Sequence, residues 1–265
     1  MSDQKQSKNK VKMKTECWMY EEVLVHLVQH KKSRALSIYC ALKLMYIEGN
    51  LKTQELDYSR LLKLTGVKDE RTIKSAMQTL FELRYIKINK ANNRIYISSQ
   101  KSLKTYYKWR SKLIFRITPK DIRKDKILSF ATAVLFTIVY IRIWNKIYSK
   151  SKKLRRAVKI DGKDYFLKSR KNIYKSFVPI SISLITKVFG IPGTTVERNR
   201  NNAYRNKYIS IKRSYDKIGK SSEFHLLRKI HLKNKPNQRL KKFNGGTFIR
   251  RIDLIKPEIK FKKKR

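Results

Sequence analysis

Side chains that could carry out covalent or metal chemistry are few in this sequence, and their spacing suits none of the common reactions. The glycine-rich pieces, Gly190 to Thr195 and Asn244 to Phe248, lack the lysine that follows the last glycine of a phosphate-binding loop, so nucleotide hydrolysis has no support. A nicking site of two histidines around one apolar residue, with a tyrosine nucleophile, is not met by His225 and His231, which lie six apart, nor by the adjacent Tyr106 and Tyr107. A metal nuclease needs clustered carboxylates. The chain has 19 Asp and Glu in 265 residues, and its sole candidate pairing is Asp253 with Glu258. His26 and His30 are four apart and could be joined in space by Cys17 or Cys40, yet no CxxC pair accompanies them as in structural zinc sites. The expectation is a non-enzymatic protein with no catalytic residue, no metal and no cofactor.

Recognition chemistry is better represented. Arginine pairs bidentately with guanine and asparagine with adenine. Arg198, Asn201, Asn202 and Arg205 recur at the spacing of one helix face, with Arg200 close by, and are the first candidates for reading the base edges of double-stranded DNA. A more ordinary set is Arg71, Lys74 and Gln78, with Ser75 and Glu82 beside them. The plainer explanation of an Asn- and Arg-rich surface is an AT-rich genome, whose codons inflate Lys, Asn and Ile everywhere. Candidate contacts to the DNA backbone are Lys87, Lys90 and Arg94, then Lys152, Lys153, Arg155 and Arg156, then Lys212, Arg213 and Lys217. Tyr106, Tyr107 and Trp109 are interleaved with Lys108 and Arg110 and could stack on unpaired bases, which makes single-stranded nucleic acid a second candidate ligand. The alternative is that these rings cap the edge of a core.

Composition points the same way. Against 66 Lys and Arg stand 19 acids, a net charge of +47 with a sequence pI near 10.4. Such a chain repels itself, and a polyanion, most commonly nucleic acid, is the usual relief. Ribosomal and packaging proteins share this balance, so charge alone does not name a function. With 41% hydrophobic residues the chain can still build cores, as one large domain or two ordinary ones. Two cysteines cannot form a disulfide framework, and Met1 to Lys14 is polar and lysine-rich without the apolar core of a signal peptide, so a reducing cytoplasm is expected. The most apolar run, Leu128 to Ile141, is fourteen residues broken by Ser129, Thr132 and Thr137 and closed by Arg142. A bilayer needs about 20, so the run is read as a buried helix and no membrane partner is expected.

These residues need elements to position them. Residues 1–15 read as a disordered basic arm. Glu16 to Gln29 fits a strand through Val23, Val25 and Leu27, or a helix through Trp18, Leu24, Leu27 and Val28, with helix preferred. A helix follows through Leu36 to Ile47, stopped by Gly49-Asn50. Asp57 can cap a second helix that ends at Gly66, and a third begins near Asp69 with Ile73, Met77, Leu80 and Phe81 on one face. The period then changes to two: Tyr85 to Ile88 and Arg94 to Ile97 flank Lys90 to Asn93 as a hairpin.

The second half repeats this order. Lys126 to Ile147, Ser181 to Phe189 and Thr194 to Asn206 read as helices, and Tyr208 to Ile211 as a strand turning toward Phe224 to Leu227. A constant offset of 123 carries Thr72 to Thr195, Ile73 to Val196, Leu80 to Ala203, Tyr85 to Tyr208 and Ile88 to Ile211, with one residue of slippage at Gly66 and Gly190. Asp161-Gly162 between alternating segments predicts an extra hairpin at about 157–168.

Helix, short strand, helix, turn, helix, hairpin is the order of a winged helix-turn-helix, and residues 34–98 and 126–228 carry that resemblance. It implies an α+β, mainly α, fold of two tandem winged helices: 16–98, a basic linker at 99–125, 126–229, and a basic C-terminal extension at 230–265. The architecture is similar to plasmid and phage replication initiator proteins, in which one domain commonly supports dimerisation and the other reads repeated origin sites. The resemblance thus implies a sequence-specific double-stranded DNA-binding initiator, with a homodimer as a candidate state. Transcription regulators share the module, and a protein that packages DNA or RNA without sequence choice is the different-class alternative. Which of the two modules reads bases stays open.

Overall fold

The structure is a computed structural model, and it describes residues 13–153, 158–160, 163–165, 177–213, 215–226, 228, 240–243, 245–250 and 253–263. The fold is mixed α+β with helix predominating, as expected. Its elements in chain order begin with β1 (Cys17–Tyr20), α1 (Glu21–Gln29), α2 (Ser33–Met45), β2 (Asn50–Lys52), α3 (Tyr58–Thr65), α4 (Glu70–Glu82), β3 (Ile86–Asn89), β4 (Arg94–Ile97), α5 (Gln100–Tyr106) and β5 (Leu113–Ile117). There follow α6 (Ile127–Lys153), β6 (Val158–Ile160), β7 (Lys163–Tyr165), β8 (Val178–Pro179), α7 (Ile182–Phe189), α8 (Gly193–Arg205), β9 (Ile209–Lys212), β10 (Tyr215–Lys220), β11 (Leu240–Phe243), β12 (Gly246–Arg250), β13 (Leu254–Pro257) and β14 (Phe261–Lys263). The chain divides into two compact units, Met1–Leu135 with Arg198–Asn206 and Ile259–Arg265, and Phe136–Glu197 with Lys207–Glu258.

In the first unit α2 is apolar all round and every residue from Ala35 to Leu42 is buried, so α3 and α4 can pack on it from different sides. Local chemistry fixes both of those helices. The Asp57 carboxylate accepts from the Arg60 amide at 2.8 Å, and Asp69 accepts from the Thr72 amide at 2.7 Å. Gly66 ends α3 in the left-handed region. α4 buries Ile73, Ala76, Met77 and Leu80, and Phe81, expected on that face, is instead 43% exposed. A three-stranded sheet in the order β2-β4-β3 completes the module, with β3 and β4 joined by the predicted Lys90 to Asn93 turn.

The second half builds the same order from α6, β8, α7, α8, β9 and β13, and its sheet has the order β8-β13-β9. The offset holds at the level of backbone. Both ends of α8 lie 123 residues after those of α4, β9 lies 123 after β3, and α7 lies 124 after α3. The Ser181 hydroxyl caps α7, and Gly190 ends it at φ 67° and ψ 20°, where Gly66 has φ 67° and ψ 19°.

Five sequence readings are corrected. Cys17–Tyr20 is a strand and only Glu21–Gln29 a helix, so both periodicities in that stretch are real but consecutive. Residues 99–125 are not a free linker: they carry α5 and β5, and β5 is the central strand of a sheet in the order β1-β5-β14. Tyr208 to Ile211 does not pair with Phe224 to Leu227. β9 pairs with β13 instead, and the intervening chain forms a separate sheet in the order β10-β12-β11. Much of the 230–265 extension is therefore built in, since β11 to β13 sit in the second unit's sheets and β14 pairs with β5. Partners 42 to 48 residues distant for β13 and 146 to 150 for β14 supply the hydrogen bonds, which no local pattern announces. Similarly, the apolar run in α6 is longer than read: Ile127–Asn145 is long and apolar enough to cross a membrane by length and composition, and 78% of it is buried in the fold.

The predicted extra hairpin is present as β6 and β7, with Ile160 opposite Lys163, although its Asp161-Gly162 turn lies outside the described residues. Of the N-terminal arm, residues 1–12 also lie outside them, while the Lys14 amide donates to the Leu44 carbonyl at 2.9 Å.

A Cβ at Gly66 would meet nothing nearer than Lys124 Cγ at 3.9 Å, and one at Gly190 nothing within 4 Å. Any cost of alanine there is therefore conformational. Gly66→Ala and Gly190→Ala should each lower stability by about 1–2 kcal/mol, the left-handed penalty of a residue with a Cβ. Urea unfolding of the two variants measures this, and unequal losses would mean that the two helix ends differ in kind.

Candidate nucleic-acid interface

The candidate reading residues are sorted by helix geometry. A helix that buries positions i, i+3, i+4 and i+7 exposes the opposite stripe. On α4 the buried set leaves Arg71, Lys74, Ser75, Gln78 and Glu82 exposed. Two of the three proposed readers there are engaged by carboxylates of the same helix. Lys74 lies 3.9 Å from Glu70 and its ammonium sits 5.5 Å from the Tyr58 ring centroid, and Gln78 Nε2 donates to Glu82 at 3.1 Å. Both acids are in water, so these ties are weak.

On α8 the buried set is Val196, Asn199, Arg200 and Ala203, each 123 residues after its counterpart on α4. Arg198 and Arg205 are exposed, and Asn201 and Asn202 are half-buried. Tyr204 is 48% exposed, like its counterpart Phe81. Eight residues after Val196, position 204 lies at the edge of the 196, 199, 200, 203 stripe and not at its centre, whereas Arg200 lies inside the stripe and is buried to 4% exposure. Along the outward stripe Ser75, Gln78, Thr79 and Glu82 are replaced by Arg198, Asn201, Asn202 and Arg205. Neutral and acidic positions on one helix are thus cationic and amide positions on the other.

Among the backbone candidates, Lys87 and Lys90 are exposed on the β3-β4 hairpin, and Arg94 is drawn in, its guanidinium donating to Asn50 Oδ1 at 2.9 Å. Lys212, Arg213 and Lys217 are exposed at the end of β9 and on β10. Lys152 and Lys153 end α6, but their side chains, and all of Arg155 and Arg156, lie outside the described residues.

Three cations the sequence reading passed over stand beside Arg71. Lys31, Lys32 and Arg34 surround the start of α2 and share with α4 a groove of about 570 Å³. The signal was present as Lys31-Lys32-Ser33-Arg34, a helix start with no acid in its first turn, where the macrodipole favours one.

The aromatic run Tyr106 to Trp109 stacks on itself. The Tyr107 and Trp109 rings are parallel within 13° at 4.7 Å between centroids, and the Tyr107 hydroxyl donates to the Leu83 carbonyl at 2.8 Å. His26 packs against both rings, and its Nδ1 lies 2.9 Å from the Tyr85 hydroxyl. Tyr106 alone is well exposed, at 51%, with the Arg84 guanidinium 4.6 Å from its ring centroid. Asp253 is buried, and Glu258 accepts from Ser210 Oγ at 2.7 Å and pairs with Lys256 at 2.9 Å. No group of three His, Cys, Asp or Glu side chains that could hold a metal comes together among the described residues.

Compared with family profiles, curated proteins and solved structures, the chain matches none.

Burial, and secondarily the nearby His30, lowers the His26 pKa from 6.5 to about 4. The unfolded chain therefore takes up a proton first as pH falls. The stability held by neutral His26 is complete above about 6.5 and is lost as pH falls from there toward 4. Melting temperatures across that window should fall less steeply for His26→Gln than for the parent, and parallel profiles would show that the ring stays solvated.

Proposed function

We propose that this protein is a sequence-specific double-stranded DNA-binding protein built of two tandem winged helix-turn-helix modules, and that it initiates replication of a plasmid, phage or other mobile replicon. One observation carries the reading. The order helix, strand, helix, helix, strand, strand is built twice with the same sheet order, and each time the third helix turns a polar stripe outward. In such a module that helix enters the major groove and only its outward side chains reach base edges. The net charge of +47 supplies attraction to phosphate whatever the sequence. Two free thiols, Cys17 and the buried Cys40, accord with work in a reducing cytoplasm.

α8 is the reading helix in this proposal. It carries three arginines against one carboxylate, where α4 carries two cations against two carboxylates. Asn201 and Asn202 add the amides that suit adenine. β9 and β13 take the place that β3 and β4 have in the first half, the sheet of β10 to β12 comes from the chain between them, and Lys212, Arg213 and Lys217 are the backbone contacts of this part.

Selection of bound fragments from random DNA at physiological salt tests this. A recovered repeated motif supports an initiator, and inverted half-sites would add a homodimer. Binding without any recovered motif would replace the reading by a packaging role. At a recovered site Arg198→Ala should cost about 1–3 kcal/mol, and much less on random duplex. If Lys74→Ala and Gln78→Ala abolished site preference while Arg198→Ala and Asn201→Ala left it intact, α4 would be the reader. For any duplex, log K against log salt should have a slope steeper than about −3, which anisotropy titrations measure directly.

A further inference from the structure

We propose that the groove between the start of α2 and the outward face of α4 binds the sugar-phosphate backbone of duplex DNA, so that Arg71 is a backbone contact and not a base reader. The inference rests on the DNA-binding reading above and assigns the first unit a separate part in it. Lys31, Lys32, Arg34 and Arg71 line the groove together with the hydroxyls of Ser33 and Ser75. None of its ten lining residues is a carboxylate, so neither a metal ion nor an amine has a ligand there. None is aromatic, and its apolar side chains are the methyls of Ala35 and Ala76, so it has no surface on which a base could stack. Cations and hydroxyls around open space of about 570 Å³ suit phosphate oxygens with the sugars that join them.

Two features make the cations available. Among the described residues none of the four makes an ion pair. Asp69, the acid near Arg34 and Arg71, is already committed, its two oxygens accepting from the Thr72 amide and hydroxyl at 2.7 and 3.0 Å. The backbone adds donors. α3, α4, α5 and α7 each have a side-chain cap from Asp or Ser, whereas α2, whose first residues line the groove, has no side-chain cap and no acid in its first turn to compete for its leading amides.

The full chain is titrated with a labelled duplex of random sequence across a salt series. Lys32→Gln with Arg34→Gln should reduce the slope magnitude of log K against log salt by about 2, from two lost phosphate contacts, and weaken binding about tenfold or more at low salt. Lys32→Arg with Arg34→Lys, which keeps both charges, should retain the parent slope. Arg71→Gln should weaken a selected site and random duplex by the same factor. All four residues are exposed, so thermal melts should match the parent. If the parent binds duplex and the neutral double variant keeps its slope, the groove assignment is wrong and the DNA-binding reading stands. Loss of slope in the charge-keeping variant, or a loss at Arg71→Gln confined to the selected site, would also overturn it. A parent that binds no duplex at any salt overturns both.

Discussion

Self-repulsion is the constraint under which this chain folds. With 66 cations and 19 acids, ion pairing cannot neutralise the surface. Asp57, Asp69, Asp121, Glu55 and Glu223 accept main-chain amides at helix or turn starts, at 2.7 to 2.9 Å. A carboxylate on a main-chain amide fixes the backbone at the site and is stronger than an exposed ion pair. Cohesion then falls to apolar burial, concentrated in α2 and in α6, whose Phe130 to Tyr140 stretch is fully lined with buried residues. The cations are left outside with counterions, whose release on contact with a polyanion is a favourable term already built in before any specific contact forms.

The two halves spend one scaffold differently. α4 buries Ile73, Ala76, Met77 and Leu80; at the same stations α8 buries Val196, Asn199, Arg200 and Ala203. The first set gains the full transfer free energy of apolar side chains, and the second gives up part of it to polar groups that must be satisfied where they lie. The outward stripes differ in the opposite sense, with Ser75 and Glu82 on α4 where α8 has Arg198 and Arg205. A duplicated module can diverge in this way because the helix period, not residue identity, decides which positions face the core.

That distinction also explains what could be read in the sequence. Asp57, Gly66, Asp69, Ser181 and Gly190 act on their own neighbours within four residues, so α3, α4 and α7 were legible to within a residue or two, as were the β3-β4 and β6-β7 hairpins. The repeat was legible because an offset survives drift at individual positions. What failed was either non-local or lay at the edge of a helix face. β5 sits between β1 and β14, from the two ends of the chain, and β13 enters between β8 and β9. Phe81, expected on the face of Ile73, Met77 and Leu80, lies at its edge and is exposed, and the groove at Lys31 to Arg34 is formed with α4, some 40 residues further along the chain.

The excess of cations reaches the backbone itself. α1, α4 and α5 end with paired hydrogen bonds of the Schellman type, for example Lys31 N to Val28 O at 3.0 Å and Lys32 N to Leu27 O at 2.8 Å. The left-handed position in each is Lys31, Arg84 or Lys108, and Lys207 follows α8 in the same region. Glycine would avoid a cost of about 1–2 kcal/mol at such a site. A cation at the negative end of the helix recovers only about 0.3–1 kcal/mol of that. These ends therefore hold a small net strain in return for placing a charge on a backbone with two fixed hydrogen bonds. At Lys31 that charge stands at the α2 groove, where a rigid anchor leaves less main-chain entropy to lose when an anion is bound.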